Sequence, residues 1–197
     1  MMQDKSIHMK LDTLKQLSSI TIVLHWLIAF FMIGLLVAGV YMVETKTYSF
    51  YSWHKAIGFI IFIFILARVA WRIKNKWPAL NPQHKKIEHV MSKAVDWTLI
   101  IGTVLLPVSG FMQSSISGNG VDVFGLEIVA RNIDPNNVKK VLSYNKEWQS
   151  TFNFIHFGFG YAIIVALVLH ILGALKHHFI DKDSTLRRML DIKSYSK

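Results

Sequence analysis

The chain has 197 residues, of which 52% are hydrophobic and only 17% are charged. Soluble domains carry about 25% charged residues, so this composition indicates a membrane protein. The absence of cysteine excludes disulfides, iron–sulfur clusters, thiol catalysis and covalently attached haem. The net charge of +10 would be compatible with a nucleic-acid partner, but the positions of the lysines and arginines, described below, give another explanation.

Four apolar stretches are long enough, or nearly so, to cross a bilayer, which takes about 20 mostly apolar residues. They cover residues 20–43, 50–73, 97–113 and 152–175. None alternates with period two over its length, which argues against a β-barrel. We therefore predict an all-α fold, in which residues 1–197 form a single membrane domain built on a four-transmembrane-helix bundle.

Lysine and arginine are distributed unevenly between the two ends of these spans. Of the 22 residues of these two types, 16 lie in residues 1–19, in residues 68–96 and after residue 175. Cytoplasmic flanks carry such an excess, so both termini are expected in the cytoplasm. This asymmetry accounts for the net charge without nucleic acid.

Two connections between the spans are long enough to carry features of their own. Residues 74–93 are predicted to be a cytoplasmic linker interrupted by prolines, and residues 114–151 form the outer-face connection. After Asp134-Pro135, the spacing of Val138, Val141, Leu142 and Trp148 predicts a short amphipathic helix on the outer surface.

Four of the nine histidines fall inside the predicted spans: His25, His54, His156 and His170. Ionisable groups in membrane helices are rare and are functional candidates. His25 and His170 each lie five residues from a cytoplasmic span end, whereas His54 and His156 lie four residues from an outer end. The depths therefore predict two pairs, His25 with His170 and His54 with His156.

The spacing on the last span supports this pairing. His156 and His170 are 14 residues apart, which places them within about 40° on one helix face and about 21 Å apart along the axis. Two facing imidazoles suit the two axial positions of a haem iron, whereas zinc prefers four ligands. We predict that the four histidines bind two non-covalent haems; the alternative is that they hydrogen-bond between helices as packing residues.

Residues near these histidines suggest how a haem would be accommodated. Gly58 and Gly160 each follow their histidine by four residues and would let a flat macrocycle approach, although small residues also serve ordinary helix packing. Arg68 and Arg72 lie close to the His54 face at the cytoplasmic end of their span. They are candidates for pairing with haem propionates or for anchoring in the lipid headgroups.

Other polar residues at the span ends are weaker candidates. Lys46 and Lys55 are candidates for the propionates of the outer haem. His177 and His178, just beyond the last span, are predicted to bind quinone by donating to its carbonyl or carrying its proton. The alternative is that they cap the helix end.

With these residues in view, the chain resembles the bacterial cytochrome b561 family from about Leu17 to Leu190. The motifs that carry the resemblance are I-x-x-H-W at Ile22–Trp26, W-H-x-x-x-G at Trp53–Gly58, Arg68 with Arg72, L-P-V-x-G at Leu106–Gly110, H-x-x-x-G at His156–Gly160, His170, and the tail Lys176–Leu190. Family members often place a histidine pair at the cytoplasmic start of span three, where this chain reads Ser92-Lys93-Ala94-Val95-Asp96.

The resemblance implies a multi-pass protein of the bacterial inner membrane that holds two b-type haems through His25, His170, His54 and His156. It also implies single-electron transfer between an outer-face donor and the ubiquinone pool. Part of the family is similar in fold and acts as a superoxide:ubiquinone oxidoreductase, so superoxide is one candidate donor.

Two other classes of function are compatible with four apolar spans. One is a cytochrome b anchor subunit that passes electrons from a partner hydrogenase or dehydrogenase to quinone. The other is a non-redox transporter with polar histidines, against which the absence of acidic residues within the predicted spans argues.

Overall fold

The computed structural model describes residues 11–13, 16–75 and 86–190. Its main elements are four long helices, α1 (Ser19–Thr45), α2 (Tyr51–Asn75), α3 (Lys86–Ile116) and α4 (Lys146–Phe179), with a short 3-10 helix at Tyr48–Phe50 and a final short helix, α5 (Thr185–Met189). By length and composition, each of the four long helices is able to cross a membrane. The prediction of a helical membrane bundle is confirmed to this extent.

The ends of the helices follow local chemistry. Ser18 caps α1 by accepting a hydrogen bond from the backbone N–H of Thr21, and Asn145 caps α4 in the same way through Trp148. Lys46 ends α1 in the left-handed conformation, with φ of 53°. These caps satisfy backbone donors that the helix itself leaves unpaired.

Two helices are longer than their predicted spans. Helix α3 begins at Lys86 rather than near residue 97, and α4 begins at Lys146 rather than near residue 152. Apolarity marks only the part of a helix that lies in hydrocarbon, whereas the backbone hydrogen bonds continue into the polar flanks. The predicted linker 74–93 is correspondingly shorter, and its prolines at 78 and 82, like His84, lie outside the described residues.

The outer connection corrects one prediction and part of another. It contains four strands, β1 (Val121–Val123), β2 (Leu126–Val129), β3 (Ile133–Asp134) and β4 (Asn137–Val141), which form two antiparallel hairpins. The predicted amphipathic helix is wrong, because Val138 and Val141 lie on β4. Val141 pairs with Ile133 across the hairpin, and this strand pairing replaces the helix that the apolar spacing predicted. The fold is therefore mostly helical rather than all-α.

A core of buried apolar side chains separates the two ends of the bundle. Ile28, Ile61, Ile65 and Ile163 are each 2% exposed and pack in one cluster with Met32, Leu36 and Leu106. Ile163 lies midway along α4 between His156 and His170. The cluster therefore occupies the middle of the bundle, and the candidate sites lie on either side of it.

Candidate functional site

The structure brings His25 and His170 together at the end of the bundle where α1 begins and α4 ends. His25 is on α1 and His170 is on α4, and the centres of their rings are 6.3 Å apart with an angle of 48° between the planes. Both side chains are half-buried. The two helices approach here as the matched depths predicted.

The second pair has the same separation at the opposite end of the bundle. His54 on α2 and His156 on α4 have ring centres 6.3 Å apart, with planes at 84°. Both are again half-buried, and His54 Nδ1 has no hydrogen-bond partner among the described residues. The arrangement predicted from the spacing on one span is therefore present at both levels.

The hydrogen bonds of His156 determine which of its ring nitrogens carries a proton. Its Nδ1 lies 2.9 Å from the carbonyl oxygen of Leu106, and the hydroxyl of Ser109 lies 3.3 Å away. A carbonyl oxygen only accepts, so Nδ1 is the donor and carries the proton. In the neutral ring Nε2 then has a free lone pair, which is the form that binds a metal.

Gly110 makes room for this ring, a role that sequence reasoning missed. A β-carbon at Gly110 would lie 2.8 Å from Cε1 and 3.0 Å from Nδ1 of His156. Leu106 and Gly110 belong to the motif L-P-V-x-G, with Pro107 inside helix α3. The sequence did contain a signal for this contact. A proline and a nearby glycine within an apolar span indicate that the backbone of α3 packs closely against a neighbouring side chain.

Two further contacts involve the pair His25 and His170. The guanidinium NH2 of Arg68 lies 3.3 Å from Nδ1 of His25, and a carboxylate oxygen of Asp96 lies 3.8 Å from Nδ1 of His170. Since guanidinium groups only donate, the present contact of Arg68 requires His25 Nδ1 to accept. Nothing in the sequence spacing pointed to Asp96, which reaches His170 from α3.

Arg72 takes part in a polar cluster where α1 begins and α2 ends. Its NH1 lies 3.3 Å from the Asp12 carboxylate, which is 3% exposed. The same carboxylate accepts from the Ser18 N–H at 2.7 Å and from the Thr21 hydroxyl at about 3.0 Å, while the Asp12 N–H donates to Asn75 at 2.9 Å. Arg72 therefore takes part in joining the two helices.

This cluster also sets the ionisation of Asp12. Burial acts to raise the pKa of the Asp12 carboxyl, but hydrogen bonds from Ser18, Asn75 and Thr21 outweigh it and hold that pKa below its ordinary value. The carboxylate form is therefore the stable one in the folded chain at neutral pH.

The two glycines predicted to admit a macrocycle have few or no side-chain neighbours. A β-carbon at Gly58 would meet no heavy atom within 4 Å, and one at Gly160 would meet only a methyl group of Leu106 at 4.0 Å. A cavity of about 440 Å³ borders His54 between α1 and α2, with Gly34, Phe50 and Ile57 in its lining. Its size is within the range of sites for small organic cofactors.

The residues present fit two haems. An imidazole bonded to a metal at about 2 Å has its ring centre about 3 Å from the ion, so two imidazoles on opposite sides of one iron have centres about 6 Å apart. Both pairs match this separation. Within the described ranges no group of three or more histidine or acidic side chains is arranged to hold a metal ion.

Lys55 and one of the two histidines in the last turn of α4 have defined partners. Lys55 Nζ donates to the carbonyl oxygen of Gly120 at 2.9 Å, which ties α2 to the outer connection. His177 Nδ1 lies 2.8 Å from the Asp181 carboxylate, where the chain reverses after α4. The Lys176 ammonium and His177 keep the pKa of Asp181 below its ordinary value against the opposing effect of burial. His178 Nδ1 is buried without a hydrogen-bond partner in the part of the chain that the structure describes.

Four membrane helices with histidines paired at two depths define a membrane protein of the cytochrome b class. The chain matches the prokaryotic cytochrome b561 family over residues 16–191, and it belongs to that family. It is thus a multi-pass bacterial membrane protein, and the resemblance read from the motifs is confirmed.

Curated relatives of the chain carry consistent names. It is 30% identical to cytochrome b561 homolog 2 of Escherichia coli K12, over 91% of this chain and 93% of that protein. It is 24% identical to the probable superoxide oxidase CybB of Yersinia pestis, over 91% of this chain and 98% of the relative. Cytochrome b561 homolog 1 of E. coli K12 is also 24% identical, over 90% and 98% of the two chains.

Proposed function

We propose that the protein is a di-haem cytochrome b that transfers single electrons between a donor on the outer face and the ubiquinone pool. The observation that carries this proposal is the occurrence of two histidine pairs, each with ring centres 6.3 Å apart, at opposite ends of one bundle. Haem iron held by the two histidines of each pair would supply one-electron transfer.

The chain's own residues would orient the donors. Leu106 holds the His156 ring with its Nε2 lone pair free, and Gly110 allows the ring to lie against α3. At the other pair, His25 would hold a metal through Nε2 only with the ring proton on Nδ1, and the Arg68 guanidinium, now 3.3 Å from Nδ1, would then have to turn away. An anionic propionate is then its natural partner, and Arg68 is our candidate for that role ahead of Arg72.

The quinone would be reduced near the cytoplasmic pair. His177 and His178 lie in the last turn of α4, at the same end of the helix as His170. His178 Nδ1 has no hydrogen-bond partner among the residues that the structure describes, and His177 is held by Asp181. We assign His178 to donation toward a quinone carbonyl, and His177 with Asp181 to proton delivery.

Superoxide is the donor that one relative's name supports, that of the probable superoxide oxidase from Yersinia pestis. Oxidation of two superoxide anions to two molecules of dioxygen releases two electrons, and one quinone takes these up with two protons to become quinol. Cations of the outer face would favour the approach of such an anion; they are Lys46, Lys55, Arg131, Lys139 and Lys140.

The first experiment counts haem. A pyridine haemochrome assay on detergent-purified protein should give about two b-type haems per chain. His25→Ala and His54→Ala should each lose one haem and retain the other, and the retained haem shows that the variant has folded. His89→Ala, which removes a histidine of α3 outside both pairs, should keep two. One haem in the unmodified protein would contradict the two-site proposal.

The second experiment identifies the donor. Superoxide generated beside the purified protein should reduce its haems and then an added ubiquinone analogue, and dioxygen should be recovered in a two-to-one ratio to quinol. Intact haems that superoxide fails to reduce would remove this donor. Purification in a stable complex with a dehydrogenase or hydrogenase would instead favour the role of an anchor subunit.

A further inference from the structure

The hairpin β1–β2 has an unusual residue at its turn. Phe124 and Gly125 connect the paired residues Val123 and Leu126, and both turn residues have positive φ, 52° and 94°. This is the two-residue type I′ geometry, which favours Asn-Gly. A bulky side chain is disfavoured there because its β-carbon crowds the backbone. The contacts of Phe124 must therefore account for its presence.

Phe124 lies against the outer end of α2. Its ring centre is 5.1 Å from that of Trp53, with the planes at 67°. The base of the hairpin is held to the same helix, since Lys55 Nζ donates to the Gly120 carbonyl and Val121 is 3% exposed. The hairpin is thus fixed to α2 at its base and again at its tip.

The two faces of the hairpin differ in chemistry. Val123 pairs with Leu126, so their side chains share one face, which is the face of the buried Val121. Asp122 pairs with Glu127 on the other face of the hairpin. Two carboxylates that face each other across a strand pair repel, and water is the environment that weakens this repulsion. The face that packs against the protein at its base is therefore apolar at its tip as well.

This apolar tip continues the membrane surface of α2. Below Trp53, the same helix exposes Ile60, Ile63 and Phe64 within its membrane-spanning part. Trp53 is 59% exposed and, at the first turn of the helix, has the position of an interfacial tryptophan. Phe124 is 58% exposed and Leu126 is 65% exposed. Together they extend the apolar surface of α2 from Trp53 onto the tip of the hairpin.

We infer that the tip of the β1–β2 hairpin inserts into the outer lipid surface of the membrane. Val123, Phe124 and Leu126 enter the boundary between headgroups and acyl chains beside Trp53, and Asp122 and Glu127 face the water. Insertion accounts for a phenylalanine at a turn position where the backbone disfavours it. The inference does not depend on the haem proposal, because no histidine takes part in it.

The test measures the depth of single side chains. The chain has no cysteine, so Leu126→Cys, Glu127→Cys and Ile63→Cys each provide one site for a nitroxide label. Glu127 is the matched control, since it adjoins Leu126 on the opposite face, and Ile63 is the lipid reference. The labelled proteins are reconstituted in phosphatidylcholine–phosphatidylglycerol vesicles, and power saturation compares collisions with oxygen and with a water-soluble nickel chelate.

Because insertion of about 5 to 10 Å excludes the polar chelate, we expect the oxygen-to-nickel collision ratio of the Leu126 label to exceed that of the Glu127 label on the order of fivefold and to approach that of Ile63. A ratio at 126 as low as that at 127, and well below that of Ile63, would place the tip in water and overturn the inference. Low collision with both reagents at 126, with spin–spin broadening, would show a second copy covering this face, and would also overturn it.

Discussion

Gly110→Ala tests whether close approach of α3 to His156 is needed for the outer site. The added β-carbon would lie 2.8 Å from Cε1 and 3.0 Å from Nδ1 of the ring, whereas carbon atoms prefer separations of about 3.5 to 4.0 Å. The ring must therefore move by several tenths of an ångström or more. Its hydrogen bond to Leu106, now 2.9 Å, lengthens with that movement and weakens.

The size of the effect follows from two contributions. Overpacking costs about 1 to 3 kcal/mol, and weakening one hydrogen bond costs about 0.5 to 1.5 kcal/mol. Together they amount to about 2 to 4 kcal/mol, on the order of 30-fold to several hundredfold in affinity for the outer haem. The inner haem at His25 and His170 should bind as before.

Titration of haem into apoprotein, followed by absorbance and a pyridine haemochrome count, measures the two affinities. Two glycines provide controls. Gly158→Ala adds a methyl group where nothing lies within 4 Å, and Gly102→Ala makes an equally short contact of 2.8 Å, but with Ile163 in the core. Outer-haem affinity unchanged in Gly110→Ala, or lowered no more than in Gly102→Ala, would refute the reasoning.

Three further variants test other parts of the structure. Asp12→Asn should lower the free energy of unfolding at neutral pH by about 1 to 3 kcal/mol. Because the folded-state pKa of Asp12 lies below its unfolded value, the stabilisation by the Asp12 carboxylate is present above a pH of about 3.9 and is lost as the pH falls through the folded-state pKa. The thermal midpoints of the two proteins should therefore converge in acid, and a difference that stays constant with pH would contradict the assignment. Arg68→Gln removes a positive charge beside His25. Redox titration should show the midpoint potential of the inner haem falling on the order of 60 mV, with the potential of the outer haem unchanged. Equal shifts in the potentials of both haems would argue against a local effect. Gly118→Ala places a β-carbon against the Leu142 carbonyl at a φ of 77°, so limited proteolysis should cut the outer connection faster than in the unmodified protein, and identical cleavage rates would show that this turn tolerates the change.

Much of the bundle was predictable because the bilayer acts on each segment separately. A span must be apolar and must satisfy its own backbone hydrogen bonds, so the number and positions of the helices follow from local composition. The helical period then places His156 and His170 on one face of α4. Depth from the span ends was sufficient to predict which histidines meet, and the structure brings those pairs together.

The outer connection was less predictable for the opposite reason. In water, a short segment takes its conformation from its partners, and the spacing of Val138 and Val141 is compatible with a helix as well as with an edge of a hairpin. The turn at Asp134–Asn137 and the pairing of Ile133 with Val141 decide the outcome. That pairing requires a partner strand, which hydrophobic spacing does not reveal.

The sequence by itself determined the number of spans, the depths of the histidines and the family, because each depends on residue type and on distance along one helix. Only the tertiary structure decided that Leu106 takes the Nδ1 proton of His156, that Gly110 admits its ring, and that Asp12 joins Asn75 and Arg72. These contacts link residues 46 to 63 positions apart. They depend on how each helix is rotated about its axis and how closely it approaches its neighbours, which is settled by packing of the whole bundle.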